Sequence, residues 1–230
     1  MDANIRTSKE LVKIDNMEIS KKIYKVVKRI IDIIGALFGC LILLPLTIVI
    51  WIVNLCSNDN GPVFYTQKRI GKHGKEFKIL KFRTMCNKAQ EMVKDEETMK
   101  QYFTDDQIKE WKENFKIDDD PRITKIGKIL RKTSLDEFPQ IINILKGELS
   151  IIGPRPVIEE ELEKYKNNKE KFLSVTPGLT GYWAANGRSD TSYDERMTME
   201  LYYVDNVSFK LDVEIFFKTF ITVLKREGAK

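Results

Sequence analysis

The sequence predicts an α+β domain, mainly α-helical, that carries one small β-hairpin and follows an N-terminal membrane helix. Three observations carry this. No residue from Ile33 to Asn58 is charged, a length that suits a membrane helix. Beyond it, two β-rich runs flank a "GKHG" turn, which is a hairpin signature. Most of the remainder is charged and helix-favouring, with apolar residues at helical spacing. At 230 residues the chain has room for one good-sized domain and an appendage.

Residues 1–20 form a polar tail of mixed charge, unlike a secretory signal. The membrane element spans 21–59. Two of its features resist a simple span. Pro45 falls near the middle, where it removes a helix hydrogen bond. Both flanks are basic, with Lys21, Lys22, Lys25, Lys28 and Arg29 before and Lys68, Arg69, Lys72, Lys75, Lys78 and Lys81 after. The positive-inside tendency keeps both flanks on one side. A bent helix that enters and leaves by the same face satisfies both features, and a kinked single span is the alternative.

Residues 60–230 form the main domain. "GPVFYTQKRIGKHGKEFKILKFRTM" supplies the hairpin. Residues 87–118 read as a charged, amphipathic helical insertion. "DDDPRITKIGKILRK" restarts structure at Pro121, and "IINILKGELSIIGPRPV" is a helix, a break and a stiff Gly-Pro-Arg-Pro corner. "VIEEELEKYKNNKEKFLSV" predicts one further helix, and "PGLTGYWAANGRSDTSYDERM" a loop. The last helix, in "LDVEIFFKTFITVLKREG", is apolar over most of its circumference. It suits a core or a membrane interface, a core being the commoner outcome.

Composition excludes several chemistries. Basic residues exceed acidic ones by 39 to 34, too small an excess to indicate nucleic acid. His73 is the only histidine, so Ser-His-Asp, Cys-His and His-rich zinc sites have almost nothing to draw on. Cys40, Cys56 and Cys86 form no CxxC pair, which suits a reducing compartment. Carboxylates, cations and hydroxyls are left to do the chemistry.

The stretch "RKTSLDEFPQ" draws the eye for that reason. Ser134-Leu-Asp-Glu137 fits a capping box, and acids in a first turn complement the helix dipole. In that frame, however, Pro139 takes the fifth helical position and removes the first internal bond. The surroundings favour chemistry. Arg131 lies upstream, Arg155 is held between prolines, and Arg188 sits in "NGRSD". Cations on rigid loops near a helix start receive phosphate oxygens, and neighbouring carboxylates suit Mg²⁺ shared with a substrate phosphate. Neither GxxxxGK[ST] nor GxGxxG occurs. Phosphoryl-type transfer at a bilayer surface is the class these features suggest.

From "KRIIDIIGA" to "LKREGA" the chain resembles the bacterial sugar transferases, the monotopic polyprenyl-phosphate phosphoglycosyl transferases. The matching segments are the hairpin stretch, "DPRITKIGKILRKTSLDEFPQIINILKGELSIIGPRP", "PGLTGYWAANGR" and "YYVDNVSFKLDVEIFFKT". The 87–118 insertion and the polar tail depart from the family. The resemblance implies a minimal, catalytic-domain form, with a re-entrant helix broken at Pro45 and the domain on the cytoplasmic face of the bacterial inner membrane. It implies a catalytic pair at Asp136 and Glu137, with Asp136 as nucleophile and Glu137 holding Mg²⁺. Arg131 and Arg155 would meet phosphate oxygens, and Arg188 and Asp212 would serve nucleotide or structural roles. The implied substrates are a UDP-sugar and undecaprenyl phosphate, the products UMP and a diphosphate-linked lipid. Membrane lipid is an expected partner, nucleic acid is not, and self-association could use the last helix or the insertion. The rival readings are a non-catalytic membrane scaffold and a metal-dependent UDP-sugar hydrolase. Among minor features, Tyr182 and Trp183 could stack on uracil, and Arg29 and Asp32 could pair on one helix face.

Overall fold

A computed structural model describes residues 2–57, 61–114, 117, 119–187 and 191–225, with side-chain surroundings for 19–57, 61–112, 117, 119–187 and 191–222. The chain opens with α1 (Asp2–Cys56), so the backbone of the polar tail is helical too. Its Ile19–Cys56 part is long and apolar enough to cross a membrane. The expected break at Pro45 is not an interruption, because helix runs on through it. A proline removes only its own donor and can bend a helix without ending it. In the same turn the Thr47 hydroxyl donates to the Leu43 carbonyl at 2.7 Å.

The hairpin forms as expected. Strands β1 (Phe64–Ile70) and β2 (Glu76–Phe82) pair antiparallel, Phe64 opposite Phe82 and Ile70 opposite Glu76. The insertion holds α2 (Glu96–Tyr102) and α3 (Asp105–Asn114). Met92, Met99, Phe103, Ile108 and Ile117 give it a small core of its own. The Arg122 guanidinium, paired with Asp120 at 2.6 Å, lies over the Trp111 and Phe103 rings and ties this lobe to the rest.

Next come α4 (Lys125–Lys132), a 3-10 stretch over Leu135–Gln140, α5 (Ile141–Lys146) and strand β3 (Ser150–Ile152). The single helix expected over 157–175 is instead α6 (Glu159–Glu163), a 3-10 turn and α7 (Lys169–Phe172). Lys166 interrupts it with φ of 47°, a left-handed conformation that no helix continues through. The expected loop also contains structure: strand β4 (Gly178–Thr180), α8 (Tyr182–Asn186) and the start of α9 (Tyr193–Asp205). The chain then forms α10 (Phe209–Lys225).

Strands β3 and β4 pair in parallel, which brings the Gly-Pro-Arg-Pro corner against the "PGLTG" loop. A side chain at Gly178 would collide with the backbone of Gly153, so glycine is needed for this close approach.

The main core lies between α1 and α5. Ala36, Phe77, Ile79, Ile141, Ile144 and Leu149 pack together, and Leu43, Ile50, Phe82 and Leu130 continue the seam. The expected Arg29–Asp32 pair is replaced by two longer-range contacts. Arg29 donates to the Ile144 and Leu145 carbonyls at the end of α5, at 2.6 and 2.8 Å. These are the orphan acceptors of a helix terminus, and a cation suits that end of the dipole. Asp32 accepts from the Ser150 hydroxyl and the Ile151 N–H.

Other positions of α1 are open to the surroundings: Phe38, Leu41 and Leu44 are each about two-thirds exposed (66%, 72% and 67%). The last helix is two-faced. Leu211 and Ile215 pack with Ile152 and Tyr203, whereas Phe209, Phe216, Phe217, Phe220 and Ile221 are exposed. The expectation of a core helix holds for one face alone.

Candidate active site

The site is built where the hairpin meets the 3-10 stretch. The expected capping box at Ser134 does not form. Ser134 is left-handed, with φ of 57°, and its side chain makes no cap bond. An N-cap residue needs extended backbone to aim its oxygen at the following N–H groups. The chain takes a tight 3-10 turn through Pro139, and regular helix begins only at Ile141. The Glu137 carboxylate is therefore not drawn back to Ser134 as a capping box would require.

Glu137 instead faces cations. The Lys81 ammonium, from β2, donates to its Oε1 at 2.6 Å. The Arg155 guanidinium stands 4.0 Å from the same oxygen. Burial alone would raise the Glu137 pKa, but Lys81, Arg155 and the more distant Arg69 outweigh it and hold the carboxyl below its ordinary value. Asp136 goes the other way. Burial and then the charge of Glu137 raise it, against the pull of Lys81 and Arg131. Two neighbouring acids are thus pushed apart, one a firm anion and one a more basic carboxylate, the pattern that separates roles in acid pairs.

Arg131, in the last turn of α4, is fixed by an Nε donation to the Thr84 hydroxyl at 3.0 Å. The Arg155 peptide N–H donates to Glu200 Oε1 at 3.1 Å. Prolines on both sides limit its backbone, so this cation is well placed before any ligand arrives.

A cavity opens above these groups, lined by Arg69, Lys81, Glu137, Arg155, Trp183 and Glu200, with Gln140 and the Gly178–Gly181 strand edge. Arg155 and Arg196 both approach the Trp183 ring, at 5.8 and 4.9 Å. Its indole N–H is bound to the Thr191 hydroxyl. Glu137 and Arg155 face this cavity, whereas Asp136 and Arg131, within electrostatic reach of one another, are not among the residues that line it. Arg188 lies outside the described residues. Asp212 belongs to a different place, a buried joint in which it accepts from Tyr24, Lys28 and Tyr203. Of the two roles considered for it, the structural one fits these contacts.

Sequence reasoning missed Lys81, Arg69 and Glu200 as site residues. Lys81 and Arg69 looked like membrane-flanking charge. For Lys81, a cation between Leu80 and Phe82 inside a strand was the available signal. Glu200 carried no local signal at all.

No group of three metal-ligating side chains occurs among the described residues. Glu137 Oε2 makes no hydrogen bond or ion pair there, and Asp136 is adjacent. One or two hard carboxylate oxygens completed by substrate phosphate is what Mg²⁺ takes, so these residues fit that ion.

Residues 23–226 match the bacterial sugar transferase family. The undecaprenyl-phosphate galactose phosphotransferase of Salmonella typhimurium is 40% identical over 221 residues, 95% of this chain and 44% of that protein. The exopolysaccharide production protein ExoY of Rhizobium meliloti is 43% identical over 204 residues, 88% of this chain and 87% of the relative. The UDP-N-acetylgalactosamine-undecaprenyl-phosphate N-acetylgalactosaminephosphotransferase of Aeromonas hydrophila is 32% identical over 233 residues, covering 95% of this chain and 50% of that protein. The chain thus spans about half the length of the first and third of these relatives.

Proposed function

Because the chain belongs to the bacterial sugar transferase family, we propose that it moves a phosphosugar from a UDP-sugar to undecaprenyl phosphate, releasing UMP. The observation that carries this reading is the adjacent pair Asp136 and Glu137 with Lys81 at 2.6 Å and Arg155 at 4.0 Å from the Glu137 carboxylate, at the edge of a cavity.

In the proposed reaction an Asp136 oxygen attacks the β-phosphorus. A P–O bond forms there as the bond from that phosphorus to the bridging oxygen breaks, and UMP leaves with the electron pair. An oxygen of the lipid phosphate then attacks the same phosphorus and frees the Asp136 carboxylate. Two anions repel, so attack needs the charge of the diphosphate neutralised. Arg131, whose charge acts on Asp136, and Arg155, 4.0 Å from Glu137, do this, and Lys81 holds Glu137 ionised. Mg²⁺, held by Glu137 and a substrate phosphate, would supply further neutralisation of the leaving group. Trp183, flanked by Arg155 and Arg196, offers a flat wall for the base or the sugar.

The setting is proposed to be the cytoplasmic face of the inner membrane. The uncovered apolar side of α1 and the exposed aromatic side of α10 both suit lipid. Basic residues on both sides of the apolar run suit a re-entrant path bent at Pro45. The product would begin a surface polysaccharide or glycoconjugate.

UMP release by the detergent-purified protein tests this, with UDP-galactose and UDP-N-acetylgalactosamine first among donors, with and without undecaprenyl phosphate. Lipid-dependent turnover with one donor, absent in Asp136→Asn, is expected. Sustained release without lipid would indicate a hydrolase instead, and no release from any donor a scaffold.

A further inference from the structure

We infer that Glu200 is the positioning residue for Arg155, holding the Gly153–Pro156 corner at the cavity edge through the Arg155 peptide N–H. The inference rests on the phosphate-binding role proposed for Arg155. Four backbone groups tie this corner down among the described residues. Gly153 N–H donates to the Thr180 carbonyl and Gly178 N–H to the Pro154 carbonyl, at 2.9 and 2.8 Å, and the Pro156 carbonyl accepts from Arg69 Nη1 at 3.4 Å. The fourth tie, Arg155 N–H to Glu200 Oε1 at 3.1 Å, is the one made to a carboxyl group.

Glu200 sits on α9 with 1% of its surface exposed. Its second oxygen has no hydrogen-bond partner among the described residues, and neither do Nε and Nη2 of Arg196, the Tyr165 hydroxyl or Nε of Arg69. An unmet carboxylate oxygen inside a protein is costly, and a chain that needed only packing there would carry an apolar side chain. The groups that face Glu200 are Arg155 from the corner, Arg196 from its own helix, Tyr165 from the turn after α6 and Tyr193 from the start of α9. Burial pushes its pKa up to about 7, against the pull of the Arg155 N–H bond and the two arginine charges. Ionised, Glu200 accepts the Arg155 N–H as a charge-assisted bond, stronger than that to the neutral acid. Arg155 is therefore held most firmly above neutral pH and loosens below it.

The experiment uses the full chain in detergent micelles, labelled with ¹⁵N-arginine, with Arg155→Lys to assign the Arg155 amide. The expected result is one titration of that amide centred near neutral pH in the natural protein and none in Glu200→Gln. Donor KM should follow the same midpoint. Glu200→Leu should raise donor KM about tenfold with kcat changed less than about threefold, the pattern of lost ground-state binding. An Arg155 amide that does not titrate, or that titrates unchanged in Glu200→Gln, overturns the inference. So does a Glu200→Leu protein that loses kcat with KM unmoved. Glu200→Gln keeps the test decisive if Glu200→Leu does not fold. If the amide titrates as expected but no UDP-sugar is turned over, the transferase reading fails and the role of Glu200 stands.

Discussion

Two tetrapeptides of nearly the same spelling, Ser134-Leu-Asp-Glu137 and Ser192-Tyr-Asp-Glu195, have opposite fates in this protein. At the second, Ser192 is extended, its hydroxyl accepts from the Glu195 N–H, and the Glu195 carboxylate accepts from Ser192 N–H at 2.8 Å. That is a complete capping box, and those bonds hold the Glu195 pKa below its ordinary value. At the first, Ser134 is left-handed and caps nothing, while Glu137 is matched to Lys81 from a distant strand. The residues that follow make the difference. Arg196, Met197 and Thr198 continue a helix, whereas Pro139 takes the place where the first internal N–H bond would be made. Denied a cap, the acids of the first copy stay available to a ligand.

Substitution at equivalent places should bring out the contrast most sharply. Asp136→Asn is expected to lower turnover by about a thousandfold or more, since it removes the proposed nucleophile. Asp194→Asn should leave turnover within about twofold. Equal losses from both, in proteins of unchanged melting temperature, would sink the distinction. Lys81→Met should cost turnover about a hundredfold by taking away the cation that holds Glu137 ionised, with no matching cation at Glu195 to remove.

Stability should show the reverse. Ser192→Ala is expected to cost about 1 kcal/mol, the usual worth of a side-chain cap. For a chain of 230 residues that corresponds to a fall of about 2–4 °C in melting temperature. Ser134→Ala should move it by less than about half that. A larger drop at Ser134 would mean that its hydroxyl supports the turn after all.

A further effect on stability concerns pH. Unfolded Glu200 gives up its proton near the ordinary value of 4.5, and the folded protein keeps it to about 7. Between these values the folded state binds more protons, so stability falls as pH rises and levels off above about 7. Melting curves of Glu200→Gln should lack this slope. A slope unchanged by the substitution would assign the titration to another group.

The same contrast shows how far the sequence could be read. The hairpin, the long apolar helix and the nearness of Arg131 to Asp136 were legible, because each depends on neighbours within a few turns. Lys81 meets Glu137 across 56 positions and Arg155 meets Glu200 across 45. Neither pairing leaves a periodic trace. At Ser134 the residue pattern offered a cap, Pro139 counted against it, and the left-handed backbone of Ser134 rules it out. The helix expected over 157–175 failed for a like reason, since Lys166 is ordinary in type and unusual only in φ.

One contact made by α1 has a mechanical consequence. Arg29 grips the far end of α5 through two carbonyls, and α5 continues directly from the turn that bears Asp136 and Glu137. The apolar helix and the Asp136-Glu137 pair are thus coupled like a gauge and its pointer. On the proposed reading, the height of Asp136 above the bilayer is set by this linkage rather than by the loops around the cavity. On the same reading, a lipid that tilts α1 would tilt the proposed nucleophile with it, and bilayer thickness would become a variable of the proposed chemistry.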